Sequence, residues 1–533
     1  MSILHSRRTA LIGGIGAGLL VPRRADANTV FTSFGFKATG TTTDRTMPDR
    51  LAEIHNVLDY GADPGGGNPS VTTPAIQAAV DAVVGAGRGR IHFPLGSYQT
   101  NAPITFNYDG DLSINFTGDI GSVIFGNFNG YIFDRNIAPV TVTISIASPG
   151  VISETSHGRL ADGQVRFATT GALPTGLVAG VIYYVKTVLS SSTYTVSATA
   201  GGTAIVTTGS QSGTQTRLPN NTSGGRIFER LIIQNGHASG GGVRIGATTG
   251  AAFRDCLISA FICVTTEDAV GVSSQNVFFQ DCTMSNGGAV SGSHFIIIGG
   301  GGSIEGCTLS GADTAVRAYG SGLSITGCRS ERCNTSYLFG VDSGDNPVGC
   351  SGFSIMSCST EGCWTSYHLA GPCNGFAIVG VGALGHDAGN SGVVPGIMGS
   401  QYGLRIDADC ASNGVIQSCT FGGDFQAIAG LSFAGATSRG NVVVRETNAI
   451  SNNGGGVGWI FPSNAYTAQF FNNNESPLWT FSQLPSGGNV LEGDEYDLTD
   501  ANSTTWGANV TAGSSSGRVR VRYNGTNWTV MGK

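Results

Sequence analysis

Charge is scarce in this sequence: Asp, Glu, Lys and Arg make up 12% of the 533 residues, about half the usual quarter. Coiled coils and long helical bundles, rich in Glu, Lys, Arg and Ala, are thereby excluded. Lysine is scarcest, with none between Lys186 and Lys533. No Lys/Arg cluster occurs outside the N-terminus and the formal net charge is −7. Nucleic acid is therefore not an expected partner, because phosphate contacts need clustered cations. No later stretch reaches the roughly 18 apolar residues of a membrane span, and no Cys-x-x-Cys pair has zinc-site spacing. Intrinsic disorder is excluded by 40% hydrophobic residues and a full aromatic complement. The abundant residue is glycine, 83 in all, about twice its usual share. Interior Gly costs a helix about 1 kcal/mol per site, and here Gly lacks the three-residue period of collagen. What remains is a large β protein with many tight turns, either several domains or one elongated one.

Residues 1–27 read as an export signal. Arg7 and Arg8 precede an apolar, Gly-rich run from Thr9 to Val21, and Ala25 and Ala27 supply the small residues a signal peptidase needs. The start resembles a twin-arginine signal, and Arg23 and Arg24 fit that route. The expectation is a folded protein exported to a secreted or periplasmic location.

A repeat of about 25 residues runs through the centre. An apolar residue, two variable residues and Cys recur at Phe253 and Cys256, Phe279 and Cys282, Ile304 and Cys307, Ile325 and Cys328, Ile355 and Cys358, and Ile416 and Cys419. Phe228 with Leu231 and Ile378 with Val381 are degenerate copies. Each copy is a short alternating strand followed by Gly, Ser or Asn. A strand–turn repeat without a helix is a parallel β-helix, an all-β solenoid. Ile355 and Cys358 can both face inward only across a corner, expected near Ser357. The Cys column reads as a ladder of buried thiols, with Cys333 and Cys363 as a second, shorter column. Cys350 and Cys373, read as lying in longer turns, are the best disulfide candidates.

The segment from Asp49 through Asp59, Tyr60 and Asp63 leads into an amphipathic helical stretch over 74–84, with Ile76, Val80 and Val84 on one face. Gly87 through Phe93, Pro94 and Tyr98 follows. This order resembles the first coil of the pectate-lyase-like β-helix superfamily, in the branch shared by rhamnogalacturonase-type proteins and phage tailspikes. The resemblance implies a right-handed parallel β-helix, a helix capping its open end, and action on a polysaccharide in a groove along one sheet. It leaves a homotrimer open, since tailspike-like relatives are often trimers. It departs in the loop before the helix, where Gly65, Gly66 and Gly67 stand in place of a frequent acidic pair. The expected organisation is a signal over 1–27, cap and first coils over 28–139, an inserted β domain over 140–217, the central β-helix over 218–480 and a C-terminal β cap over 481–533.

Two sets of residues can carry chemistry. Glu331 and Glu361 each lie three residues after a Cys, hence on one outward column, one rung apart. Close carboxylates separate in pKa and serve as the acid and base of glycoside hydrolysis; the alternative is a solvated pair relieved by Arg329 and Arg332. Ten residues after successive Cys stand Arg317, Leu338 and His368, with Asp313 and Asp342 nearby, a second acid–base candidate. Tyr319, Tyr337, Trp364 and Tyr367 are candidates for stacking on sugar rings. Glu267 and Asp268 resemble the adjacent acids of polygalacturonases, but the further motifs of that family are missing. Hydrolysis is favoured over β-elimination, and no cofactor is expected; calcium enters only for a lyase. The competing reading is a non-enzymatic adhesin or tail-fibre-like receptor-binding protein.

Overall fold

The computed structural model describes Gly35–Phe36, Arg45–Thr46 and, from residue 53, all positions except 107–112, 137–138, 156, 158, 160, 219–224, 268–273, 287–290, 386–399, 408–410, 424, 434–441, 450–456, 461–467, 472–477, 485–491, 493–494, 514–516 and 533. The proposed export signal and Asp268 lie outside the described residues. The chain divides into two units, 1–54 and 55–533. In the first, Gly35–Phe36 pairs antiparallel with Arg45–Thr46.

The second unit is built on a right-handed parallel β-helix. Among the described residues, each coil gives one strand to each of three parallel sheets of 13, 11 and 11 strands. A central coil shows the pattern: Leu323–Thr326 in the first sheet, Arg329–Glu331 in the second and Thr335–Phe339 in the third. In-register pairing turns sequence repeats into columns. One first-sheet column runs Phe116, Phe228, Phe253, Phe279, Ile304, Ile325, Ile355, Ile378, Ile416 and Val444, all fully buried. Its phenyl rings stack, with centroids 4.7, 5.0 and 4.8 Å apart from Phe116 to Phe279.

The corner between first and second sheets sits one residue before each Cys, as expected at Ser357. Arg230, Asp255, Asp281, Gly306, Gly327, Ser357, Gly380 and Ser418 all have φ between 50° and 63°. This left-handed turn lets residues i and i+3 both face inward. Gly adopts it freely, and short polar side chains tolerate it. A β-branched residue does not: Ser357→Val is expected to cost about 1–2 kcal/mol, read from its urea midpoint, and no loss would contradict the corner.

All eleven cysteines among the described residues are buried thiols. Cys256, Cys328 and Cys419 donate to Phe228 O, Ile304 O and Ile378 O at 3.4, 3.4 and 3.5 Å. Cys350 and Cys373, expected in turns as disulfide partners, instead face each other in a small four-stranded parallel sheet and remain thiols. Burial pushes the Cys350 thiol up to about 12, so it holds little of the reactive thiolate near neutrality.

The capping helix spans Pro69–Ala86, five residues earlier than expected, with Pro69 rather than Pro74 at its first turn. Ile76, Val80 and Val83 enter the solenoid core, while Val84 packs at its margin. Between coils two and three the chain makes a closed six-stranded antiparallel barrel from Val140–Ile144 to Gln215–Leu218. Its interior holds Glu154 between Arg159 and Arg217 at 3.2 and 2.9 Å, with Tyr194 donating to the same carboxylate. A five-stranded sheet from Leu478–Trp479 to Trp528–Gly532 lies at the C-terminal end.

Candidate functional site

Glu331 and Glu361 are register partners on the second sheet and face outward. Arg329 lies between them, its Nε 2.5 Å from Glu331 and its Nη2 3.0 Å from Glu361. One guanidinium shared by both carboxylates makes the arrangement a surface ion-pair ladder.

The outer face of the third sheet is chemically richer. Its outward register column runs Asp134, Arg244, Thr265, Ile297, Arg317, Leu338, His368 and Arg405. Parallel strands lie about 4.8 Å apart, so Arg244 and Arg405, six rungs apart, are separated by about 29 Å. Arg244 grips Asp134 with two 2.7 Å hydrogen bonds and covers the Tyr131 ring at 4.7 Å. His368 Nε2 lies 2.9 Å from Asp407 Oδ2, and Arg405 Nε lies 2.5 Å from Asp407 Oδ1. Arg405 also covers Tyr402 at 5.1 Å. Burial opposes the Asp407 charge, but hydrogen bonds from His368 and Arg405 outweigh it and hold its carboxyl below the usual range. With Nε2–H donated to Asp407, the His368 lone pair is on Nδ1, where it can act as a base.

Arg317 and His368 share the expected column, two rungs apart. Arg317 is turned to Asp345 Oδ1 at 2.5 Å and Asp342 O at 2.6 Å. Asp313 and Asp342, offered as acids, are committed to structure. Asp313 accepts from Gly292 N and Asn334 Nδ2, both at 2.7 Å, and so staples neighbouring rungs. Asp342 closes a turn by accepting from the backbones of Asn346 and Gly344, both at 2.9 Å, and these bonds hold its carboxyl below the usual range.

The aromatic assignments need correction. Tyr337 and Tyr367 are fully buried, stacked 5.3 Å apart in the core, and neither can meet a sugar. Each sits one residue before the outward column, and a one-residue step in a strand reverses the face. Tyr319 follows the strand Thr314–Ala318 and Trp364 precedes Thr365–Leu369, so these half-buried rings flank opposite ends of the sheet. Arg405, Asp407 and Tyr402 were missed because this coil is longer. Ten residues past Val381 is Ser391, whereas the rung partner of His368 is Arg405.

His294 also lies against this face, its ring buried beside Arg317. Burial first, and the Arg317 charge second, push its pKa down to about 4, against the pull of Asp313 and Asp345. From pH 6.5 to about 4 the unfolded chain binds a proton that the native ring refuses, so stability falls as pH falls through that window. The contribution is on the order of 3 kcal/mol at most. His294→Gln is expected to flatten the pH dependence of the urea midpoint there; an unchanged slope would refute the assignment.

Among the described residues, no group of three or more His, Cys, Asp or Glu side chains could hold a metal ion. No helix among them is long and apolar enough to cross a membrane.

No family model and no curated protein matches this sequence. Solved structures share its architecture. The tailspike of Escherichia coli bacteriophage HK620, in complex with a pentasaccharide, is 12% identical over 86% of this chain and 71% of that one, with TM-score 0.46. PfbA, a surface adhesin of Streptococcus pneumoniae, is 12% identical over 90% and 100%, with TM-score 0.36. The A-module of the Azotobacter vinelandii mannuronan C-5 epimerase AlgE4 is 11% identical over 81% and 100%, with TM-score 0.33. The fold, a right-handed parallel β-helix, stands on the strand topology above. Likeness at these identities carries no activity over.

Proposed function

We propose that this protein is exported and binds a polysaccharide along the outer face of the third sheet, cutting it with His368 as base. The observation that carries this reading is the outward His368–Asp407 pair, fixed by Arg405 on the column that also presents Arg317. Asp407 holds the imidazole tautomer, and burial of the neighbouring Tyr367 and Leu369 makes the strand rigid. A base flanked by guanidinium groups suits β-elimination on a uronate-containing glycan better than hydrolysis by paired carboxylates. His368 takes the proton next to the uronate carboxylate, and those electrons form the ring double bond. The glycosidic C4–O bond breaks, and the departing oxygen takes up a proton.

Binding without cleavage is the second reading, and a specific observation favours it. Arg244, Arg317, Arg405 and His368 are each already engaged by an acid. A polysaccharide panel separates the readings. Elimination gives new reducing ends with the absorbance of an unsaturated uronate. Reducing ends alone would show hydrolysis, and binding without product would show an adhesin.

A further inference from the structure

The segment 340–349 folds back over the third sheet as a short hairpin. Val341 bridges Pro347, and Val348 N donates to Gly340 O. Its ends are Gly340 and Gly349, with φ of 87° and 83°, values that suit glycine and leave few other residues unstrained. Its tip makes three contacts with the sheet. Asp342 O and Asp345 Oδ1 accept from Arg317 Nη1, and Ser343 Oγ donates to Glu267 Oε2 at 2.6 Å. Glu267 follows the strand Ile262–Thr265, two rungs before Arg317, so the tip straddles the face.

The two sides of the Asp345–Arg317 pair are unequal. The Arg317 side chain is 7% exposed and that of Asp345 is 79% exposed. Under the tip, Arg317 Nε and His294 Nδ1 are buried with no hydrogen-bond partner among the described residues. A buried cation with an unused donor, held by an exposed carboxylate, is a site occupied by a weak substitute. An ion pair with an exposed partner is worth little. A carboxylate brought by a ligand along the sheet can replace Asp345 at Nη1 with a charge-assisted hydrogen bond of its own.

We propose that 340–349 is a self-blocking strap: the Asp345 carboxylate occupies the Arg317 subsite, and a carboxylate-bearing sugar displaces it and lifts the hairpin. This rests on the reading that the glycan runs along the third sheet, and adds an anionic subsite two rungs from His368 with a built-in competitor.

The test compares wild type, Asp345→Asn and Asp345→Asn/Arg317→Gln in the full chain. Polyglucuronate is the probe, dextran the neutral control, and amide hydrogen exchange the second readout. Without ligand, Asp345→Asn should speed exchange over 341–348 while Thr314–Ala318 and Thr335–Phe339 stay protected. Polyglucuronate should do the same to the wild type. Asp345→Asn should bind polyglucuronate about fivefold tighter, dextran binding should not change, and Arg317→Gln should abolish the gain. Unchanged exchange in Asp345→Asn overturns the strap whatever the glycan does. Faster exchange without tighter polyglucuronate binding, including no binding at all, overturns the subsite. The broader glycan reading fails separately, if no polysaccharide of a wide panel binds or if binding ignores substitutions along Arg244 and Arg405.

Discussion

Replacing His368 by alanine is expected to slow glycan cleavage by about 10²–10⁴-fold, the usual worth of a positioned general base, with binding changed only a few-fold. His368 is the one imidazole on the outward column, and its Nε2 is committed to Asp407. Asp407→Asn should produce a large loss of its own, because the amide can present its NH2 to Nε2 and favour the wrong tautomer. The two losses should not add, since the residues act as a unit. Initial rates and binding constants for the same glycan separate the outcomes. A His368→Ala variant of normal rate would move the chemistry elsewhere. Equal loss of rate and binding would reduce His368 to a contact residue.

The second large effect lies in the core. Phe253→Ala is expected to destabilise the β-helix by about 3–5 kcal/mol. Phe253 is fully buried and stacked between Phe228 and Phe279, at 5.0 and 4.8 Å with interplanar angles of 7° and 6°. Hydrogen-bonded ladders on both sides hold the neighbouring rungs at fixed spacing, so the cavity cannot close. Phe253→Leu, which refills most of the volume, should cost well under half as much. Because a solenoid is stabilised rung by rung, the loss should appear first as local exchange in strands Arg226–Glu229 to Gln275–Gln280. Denaturant unfolding measures the total, and a cost below about 1 kcal/mol would show that the stack is not under packing constraint.

The coil was legible because a parallel β-helix writes its rungs into the chain as a period. Phe253, Phe279 and Ile304 sit in one register column, and the corner at Ser357 follows from Ile355 and Cys358 both facing inward. The Arg317, Leu338 and His368 column was legible for the same reason, since their coils share one length between Cys and outward position. Legibility ended where that length changed. The longer stretch of chain between Val381 and Arg405 hid Asp407, the acid bonded to His368, and Arg405, the cation bonded to that acid. Tyr337 and Tyr367 were misread because face depends on a single residue of register, and each sits one residue before the outward column of Leu338 and His368. The pairing of Glu331 with Glu361 was legible, but Arg329 between them was decisive, and its side-chain direction is set by packing and charge.

The most direct measurement is the structure of the His368→Ala protein with a long oligosaccharide taken from the polysaccharide it binds. The account predicts sugar rings across the strands Thr314–Ala318, Thr335–Phe339, Thr365–Leu369 and Ser400–Ile406, with a carboxylate at Arg317 and the scissile bond beside position 368. Sugar bound along Glu331 and Glu361, or on the barrel Val140–Leu218 alone, would contradict it.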